Sequence, residues 1–254
     1  MESGWVDSFY EALEFFYWEP QHLGRKKYDK AEFNSLPLVQ KHLRKMEVTL
    51  NQNLHQFFLL APSSLRNELF GSLFGQPLHE PFKLEGRDVD AKFNLQNSTQ
   101  PDLVFISDTN LVSIEMKVGA KSSLLQVLKY ALLGLAVEVQ QGSVRNHHLA
   151  LLGTGSFAAQ WKEPITSMTE LRDSLAQADL ESFLKKQPAH LRPYSLRFSE
   201  IVSSLSFCFI TYEELTDHLM RDAPISSDTS PGAEVYRKLI SGLIAELKLR
   251  QLAP

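Results

Sequence analysis

Cysteine is nearly absent: Cys208 stands alone, inside the apolar run "LSFCFITY". One thiol cannot form an intramolecular disulfide, so a disulfide-stapled scaffold is excluded and a reducing compartment is expected. Within that run Cys208 reads as a small buried core residue. An excess of positive charge is missing too. Twenty-six Lys and Arg against 30 Asp and Glu leave a formal net charge of minus 4, which excludes a chain that coats nucleic acid or membrane by bulk charge. Any polyanion site must be local. No apolar run approaches the length of a membrane span, and the start "MESGWVDSFY" has no basic region followed by an apolar stretch. No membrane association and a cytoplasmic location are therefore expected. Internal repeats and low-complexity linkers are also lacking.

What remains is ordinary globular composition, 43% hydrophobic and 22% charged over 254 residues, enough for a sizeable core. Helical spacing opens the chain: Trp5, Phe9, Leu13 and Phe16 form an aromatic stripe in "WVDSFYEALEFFYW", ending near Pro20, read first as core packing and second as a face for a protein partner. "LGRKKYDK" reads as a basic loop. A helix is expected across Leu38 to Leu60, then a break at Pro62 and a Ser-capped helix in "SSLRNELFG".

The period then changes. "PFKLEGRDVDAKFNLQ" suits a strand pair or one bent strand, with Asp88 and Asp90 read first as an exposed edge and second as an added acidic ligand. "DLVFIS" and "NLVSIEMKV" read as a hairpin turning at Asp108, Thr109 and Asn110. A helix capped by Ser122 or Ser123 and ended by Gly142 follows. "HHLALLGTG" is a strand buried on both faces, with "GTGS" as a turn, and its adjacent His147 and His148 point to opposite sides. "LSFCFITY" is a further strand. The last helix carries Val235, Leu239, Leu243 and Leu247 as its apolar stripe, after a loop at "SSDTSPG".

Parity on "LVSIEMKV" separates Val112, Ile114 and Met116 from Ser113, Glu115 and Lys117, one face for the core and the other for chemistry. Counting outward from a two- or four-residue turn sets Asp102 opposite Glu115, with Cβ atoms about 5 Å apart. Two carboxylates that close repel unless a cation sits between them. Hard oxygen ligands without Cys or clustered His suit magnesium, with manganese able to substitute. Lys117 brings an ammonium to the same point. A divalent ion beside a lysine suits phosphodiester hydrolysis.

"PD" at Pro101 and Asp102, followed by "EMK" at Glu115, Met116 and Lys117, resembles the signature of the PD-(D/E)xK nuclease superfamily. "QVLKY", Gln126 to Tyr130, resembles the Q-x-x-x-Y motif of its RecB-like branch, and "EVTLNQNL", from Glu47, resembles the start of its first core helix. The resemblance spans about Met46 to Gly155. It implies an α/β fold with a restriction-endonuclease-like core, a central mixed sheet flanked by helices, and helical N- and C-terminal extensions. The corresponding boundaries are 1–45, 46–160 and 161–254, packed as one compact domain.

It also implies a site. Asp102, Glu115, the Met116 carbonyl and Glu47 would hold magnesium, with Glu68 as rival to Glu47, and Lys117 would position the attacking water. Gln126 and Tyr130 would orient Lys117 and the scissile phosphate. Lys83, Arg87, Lys92, Lys121 and Lys129 are the basic residues nearest in sequence for a nucleic-acid backbone. The expected function is a metal-dependent nuclease acting on DNA before RNA, with a homodimer allowed by analogy with the fold. The competing reading is a catalytically silent module that binds nucleic acid or a protein partner.

Overall fold

A computed structural model describes residues 4–18, 36–86, 88–96, 98–221, 223 and 230–254. The basic loop "LGRKKYDK", Arg87 and most of "SSDTSPG" lie outside these residues. The chain divides into two compact units, one of residues 1–61 with 212–254 and one of residues 62–211.

The first unit is helical: α1 (Trp5–Trp18), α2 (Leu36–Leu43), α3 (Glu47–Leu60), α10 (Tyr212–Arg221) and α11 (Pro231–Leu249). Val6 and Tyr10 of α1 are fully buried with Leu43, while Trp5, Phe9 and Leu13 pack around them half-buried. The described part of the aromatic stripe is thus core packing, rotated by one residue from the expected set. The single helix expected from Leu38 to Leu60 is broken after Leu43. There the Arg250 guanidinium donates to the carbonyls of Arg44 (2.6 Å) and Met46 (3.1 Å), and the Thr49 hydroxyl donates to that of Met46 (2.8 Å). These long-range donors satisfy the interrupted backbone. Glu246, 0% exposed on α11, binds Arg250 at 2.6 Å and Arg44 at 3.3 Å and accepts from Tyr10. On α11, Leu239, Leu243 and Leu247 are buried as expected, whereas Val235 is 67% exposed.

The second unit holds a five-stranded mixed sheet in the order β1 (Lys83–Leu84), β2 (Leu103–Ile106), β3 (Asn110–Met116), β4 (Asn146–Gly153), β5 (Ser206–Thr211). The β1–β2 and β2–β3 pairs are antiparallel; β3–β4 and β4–β5 are parallel. The helices of this unit are α4 (Ser63–Phe74), α5 (Val89–Lys92), α6 (Leu124–Gln141), α7 (Met168–Ala176), α8 (Leu180–Lys185) and α9 (Ser195–Ser204). An α/β fold with a mixed sheet flanked by helices is therefore what the sequence yields.

Several local expectations are met for the reasons given. The hairpin turns between Ser107 and Asn110: the Ser107 amide and hydroxyl donate to the Asn110 carbonyl at 2.9 and 3.1 Å, and the Asn110 amide donates back to the Ser107 hydroxyl at 3.0 Å. Ser123, not Ser122, caps α6 by accepting from the Gln126 amide, and Gly142 ends it at φ +67°, a left-handed angle that suits glycine. Parallel neighbours on both sides leave β4 buried on both faces from His147 onward.

Other expectations fail. "PFKLEGRDVDAKFNLQ" gives only the two residues of β1, then α5, because Val89 and Phe93, four apart, turn inward together to join buried Leu95. The chain therefore curls into a helical turn where a strand had been expected. No serine side chain caps α4; Pro62 occupies the cap position. Cys208 is half-buried on β5, an end strand of the sheet, with its thiol pushed up to about 12 by its surroundings' desolvation. The separation of β3 into a core face and a chemistry face also fails, since all seven residues are buried. Leu111, Val104, Ile106, Leu149 and Leu151 line the face beneath α6 and α9 and form one apolar core with them. On the opposite face Phe105 meets Phe70 of α4, with centroids 4.9 Å apart, and His148 meets Phe74 at 4.8 Å.

Candidate active site

The register of the hairpin, Leu103 to Ile114 through Ile106 to Leu111, sets Asp102 beside Glu115 when continued by one residue, as the parity argument requires. Asp102 lies just beyond β2 and accepts the Met116 amide on Oδ2 at 2.8 Å. The carboxylate thus fastens to the partner strand through its backbone. β3 is held on its other side by β4, whose Leu152 carbonyl accepts the Lys117 amide at 2.8 Å. The Met116 carbonyl belongs to this same strand end.

Glu115 is the hub. Its side chain is 7% exposed, and both oxygens are engaged. Oε1 faces the Lys117 ammonium at 2.5 Å and accepts the Gln126 amide; Oε2 accepts the Tyr130 hydroxyl. Gln126 and Tyr130 sit one turn apart on α6 and share a face. The sequence reading gave them to Lys117 and the phosphate; the structure gives them to the carboxylate. The physical reason is direct: a buried carboxylate has no water to satisfy it and takes the nearest strong donors. Burial first, then the nearby charges of Glu115 and Asp102, push the Tyr130 phenol well above the usual tyrosine value. It remains a neutral donor at physiological pH.

The remaining candidates lie on other elements. Glu47 begins α3 in the helical unit. Glu68 is exposed on α4, the helix of the opposite sheet face, and lines a surface cleft with Ser64, Asn67 and His79. Lys83 and Lys92 both pair with Glu85, at 3.6 Å in the first case. Lys121 is exposed and Lys129 half-buried. Asp90, 3.5 Å from the Thr99 amide, lies within α5 and Asp88 stands at its cap position, so neither is on an edge strand. Among the described residues no group of three or more His, Cys, Asp or Glu side chains gathers to hold a metal. Two carboxylates and a strand-end carbonyl nevertheless form a hard-oxygen set of the kind magnesium accepts, since that ion keeps several waters. A magnesium or manganese ion fits the donor chemistry of Asp102, Glu115 and the Met116 carbonyl.

Two charged groups were missed by sequence reading. Glu85 follows β1, buried, its amide bonded to the Val104 carbonyl at 2.8 Å. Its apolar neighbours in "FKLEG" gave the only hint. Glu138, buried near the far end of α6, binds Arg197 through both oxygens at 2.8 Å, His147 at 2.8 Å and the Arg145 amide at 2.8 Å. Burial opposes its ionisation, yet Arg197, His147 and that amide outweigh it and hold its carboxyl down to about 2. His147 and His148 do point to opposite faces, the latter reaching Asn110 at 3.0 Å.

Comparison of the chain with protein-family models, with curated proteins and with solved structures gives no match.

Proposed function

We propose that this chain is a metal-dependent nuclease with a restriction-endonuclease-like core, hydrolysing phosphodiester bonds of DNA in preference to RNA. The observation that carries this reading is the meeting of Asp102, Glu115, Lys117, Gln126 and Tyr130 around one strand end. Asp102, Glu115 and the Met116 carbonyl would hold magnesium or manganese. Such an ion, when bound, supplies charge for a phosphoryl oxygen and acidifies a water. The chain's own groups do the positioning: α6 fixes Glu115 through an amide and a phenol, and Lys117, held 2.5 Å from Glu115, is the cation that would turn to the attacking water or a phosphate oxygen once released.

The test is cleavage of circular and linear DNA and of RNA with magnesium, manganese or chelator, alongside Glu115→Ala and Lys117→Ala checked for folding by circular dichroism. Metal-dependent cleavage lost in both folded variants supports the reading. A folded intact protein that cuts nothing overturns it. That result would favour a silent nucleic-acid or protein-binding module, for which the engagement of both Glu115 oxygens by protein donors speaks.

A further inference from the structure

We infer that Lys117 is a placeholder for the metal: its ammonium neutralises Glu115 while the ion is away and is driven off when the ion arrives. The inference rests on the metal site proposed above and adds how that site switches. A carboxylate offers about four lone-pair positions. Three donors already take three of those on Glu115, and among them Lys117 alone carries the counter-charge. Both partners are nearly enclosed, at 10% and 7% exposed, and a buried carboxylate without a counter-charge is strongly disfavoured. A divalent ion taking up Glu115 therefore competes with the ammonium, not with water.

The three donors differ in freedom to leave. Gln126 and Tyr130 project from α6, whose start is fixed by the Ser123 cap and by Glu163, which accepts the Leu124 amide at 3.3 Å. Lys117 follows the last residue of β3 on a flexible four-carbon stem and can swing without moving the backbone. The exchange is one cation for another on the same carboxylate. The same event that loads the ion thus frees Lys117 for a phosphate oxygen.

The test reads Lys117 itself. Reductive methylation of intact protein, followed by peptide mass spectrometry, compares Lys117 in chelator and in manganese, with calorimetric titration of manganese into intact protein, Lys117→Met and Glu115→Gln. We expect Lys117 to be methylated at least several-fold faster with manganese, and faster without metal in Glu115→Gln. Lys117→Met should bind manganese about tenfold more tightly, a step of about 1.4 kcal/mol. If the intact protein takes up manganese and cuts nucleic acid while Lys117 is equally reactive in both states, this inference alone falls. If it takes up no manganese, the metal site and the placeholder fall together.

Discussion

Replacing Tyr130 by Phe removes one hydroxyl from an enclosed site and leaves the ring that packs beside it. The hydroxyl donates to Glu115 Oε2, on a side chain only 7% exposed, where solvent cannot substitute for it. A hydrogen bond to a buried charged acceptor is worth about 1.5 to 3 kcal/mol. At roughly 2 to 4 °C per kcal/mol for a chain of this size, the melting temperature should fall by about 3 to 12 °C. Because the phenol is neutral near pH 7, its own titration adds nothing to the effect. The assay is urea denaturation at pH 7 in chelator, where the midpoint should drop with the slope unchanged. Combining the substitution with Glu115→Gln closes a double-mutant cycle, and a coupling of about 1 to 2 kcal/mol is expected between groups in contact. Stability equal to that of the intact chain, or strict additivity with Glu115→Gln, would refute the claim that α6 holds the carboxylate.

Gly134→Ala pits helix propensity against space: alanine gains up to about 1 kcal/mol in a helix interior, while overpacking costs about 1 to 3 kcal/mol. A Cβ there would stand 2.5 Å from Nδ1 of His147, whose other nitrogen is tied to Glu138, so thermal melting should show a net loss and a stable variant would contradict the close approach of α6 to β4. Glu138 governs an acid limb. Its folded carboxyl, near 2 against 4.5 for the free group, contributes stability that is present above about pH 4.5 and is lost as pH falls towards 2. In Glu138→Gln, denaturation across that window should show a shallower pH slope and a lower plateau at neutral pH.

The hairpin shows how much a sequence can disclose. Its register follows from side-chain alternation and a short turn, both local, so Asp102 beside Glu115 was legible before any coordinates. A cap at Ser122 or Ser123 and the stop at Gly142 were legible for the same reason, and the structure chooses Ser123. The partners of Gln126 and Tyr130 were not, because spacing says which helix face they share but not what lies beneath it. The break after Leu43 was hidden too, since the group that satisfies it is Arg250, two hundred residues downstream in the fold's other terminal segment. Burial of the Glu115 face escaped because Ser113, Glu115 and Lys117 look solvent-facing by composition, and only the covering helix makes them interior.

Asp102, Glu115, Lys117, Gln126 and Tyr130 fall within 29 consecutive residues, 102 to 130, on one hairpin and the helix that follows it. Closing such short loops costs little chain entropy, and contacts this close in sequence form early when a domain folds. The constellation is thereby drawn from one short stretch of local contacts. A change in the length of the Val118–Ser123 connection would separate the helix donors from the carboxylate they hold, and an insertion between β4 and Glu163 would disturb the start of α6 that Glu163 and the Ser122–Trp161 bridge fix.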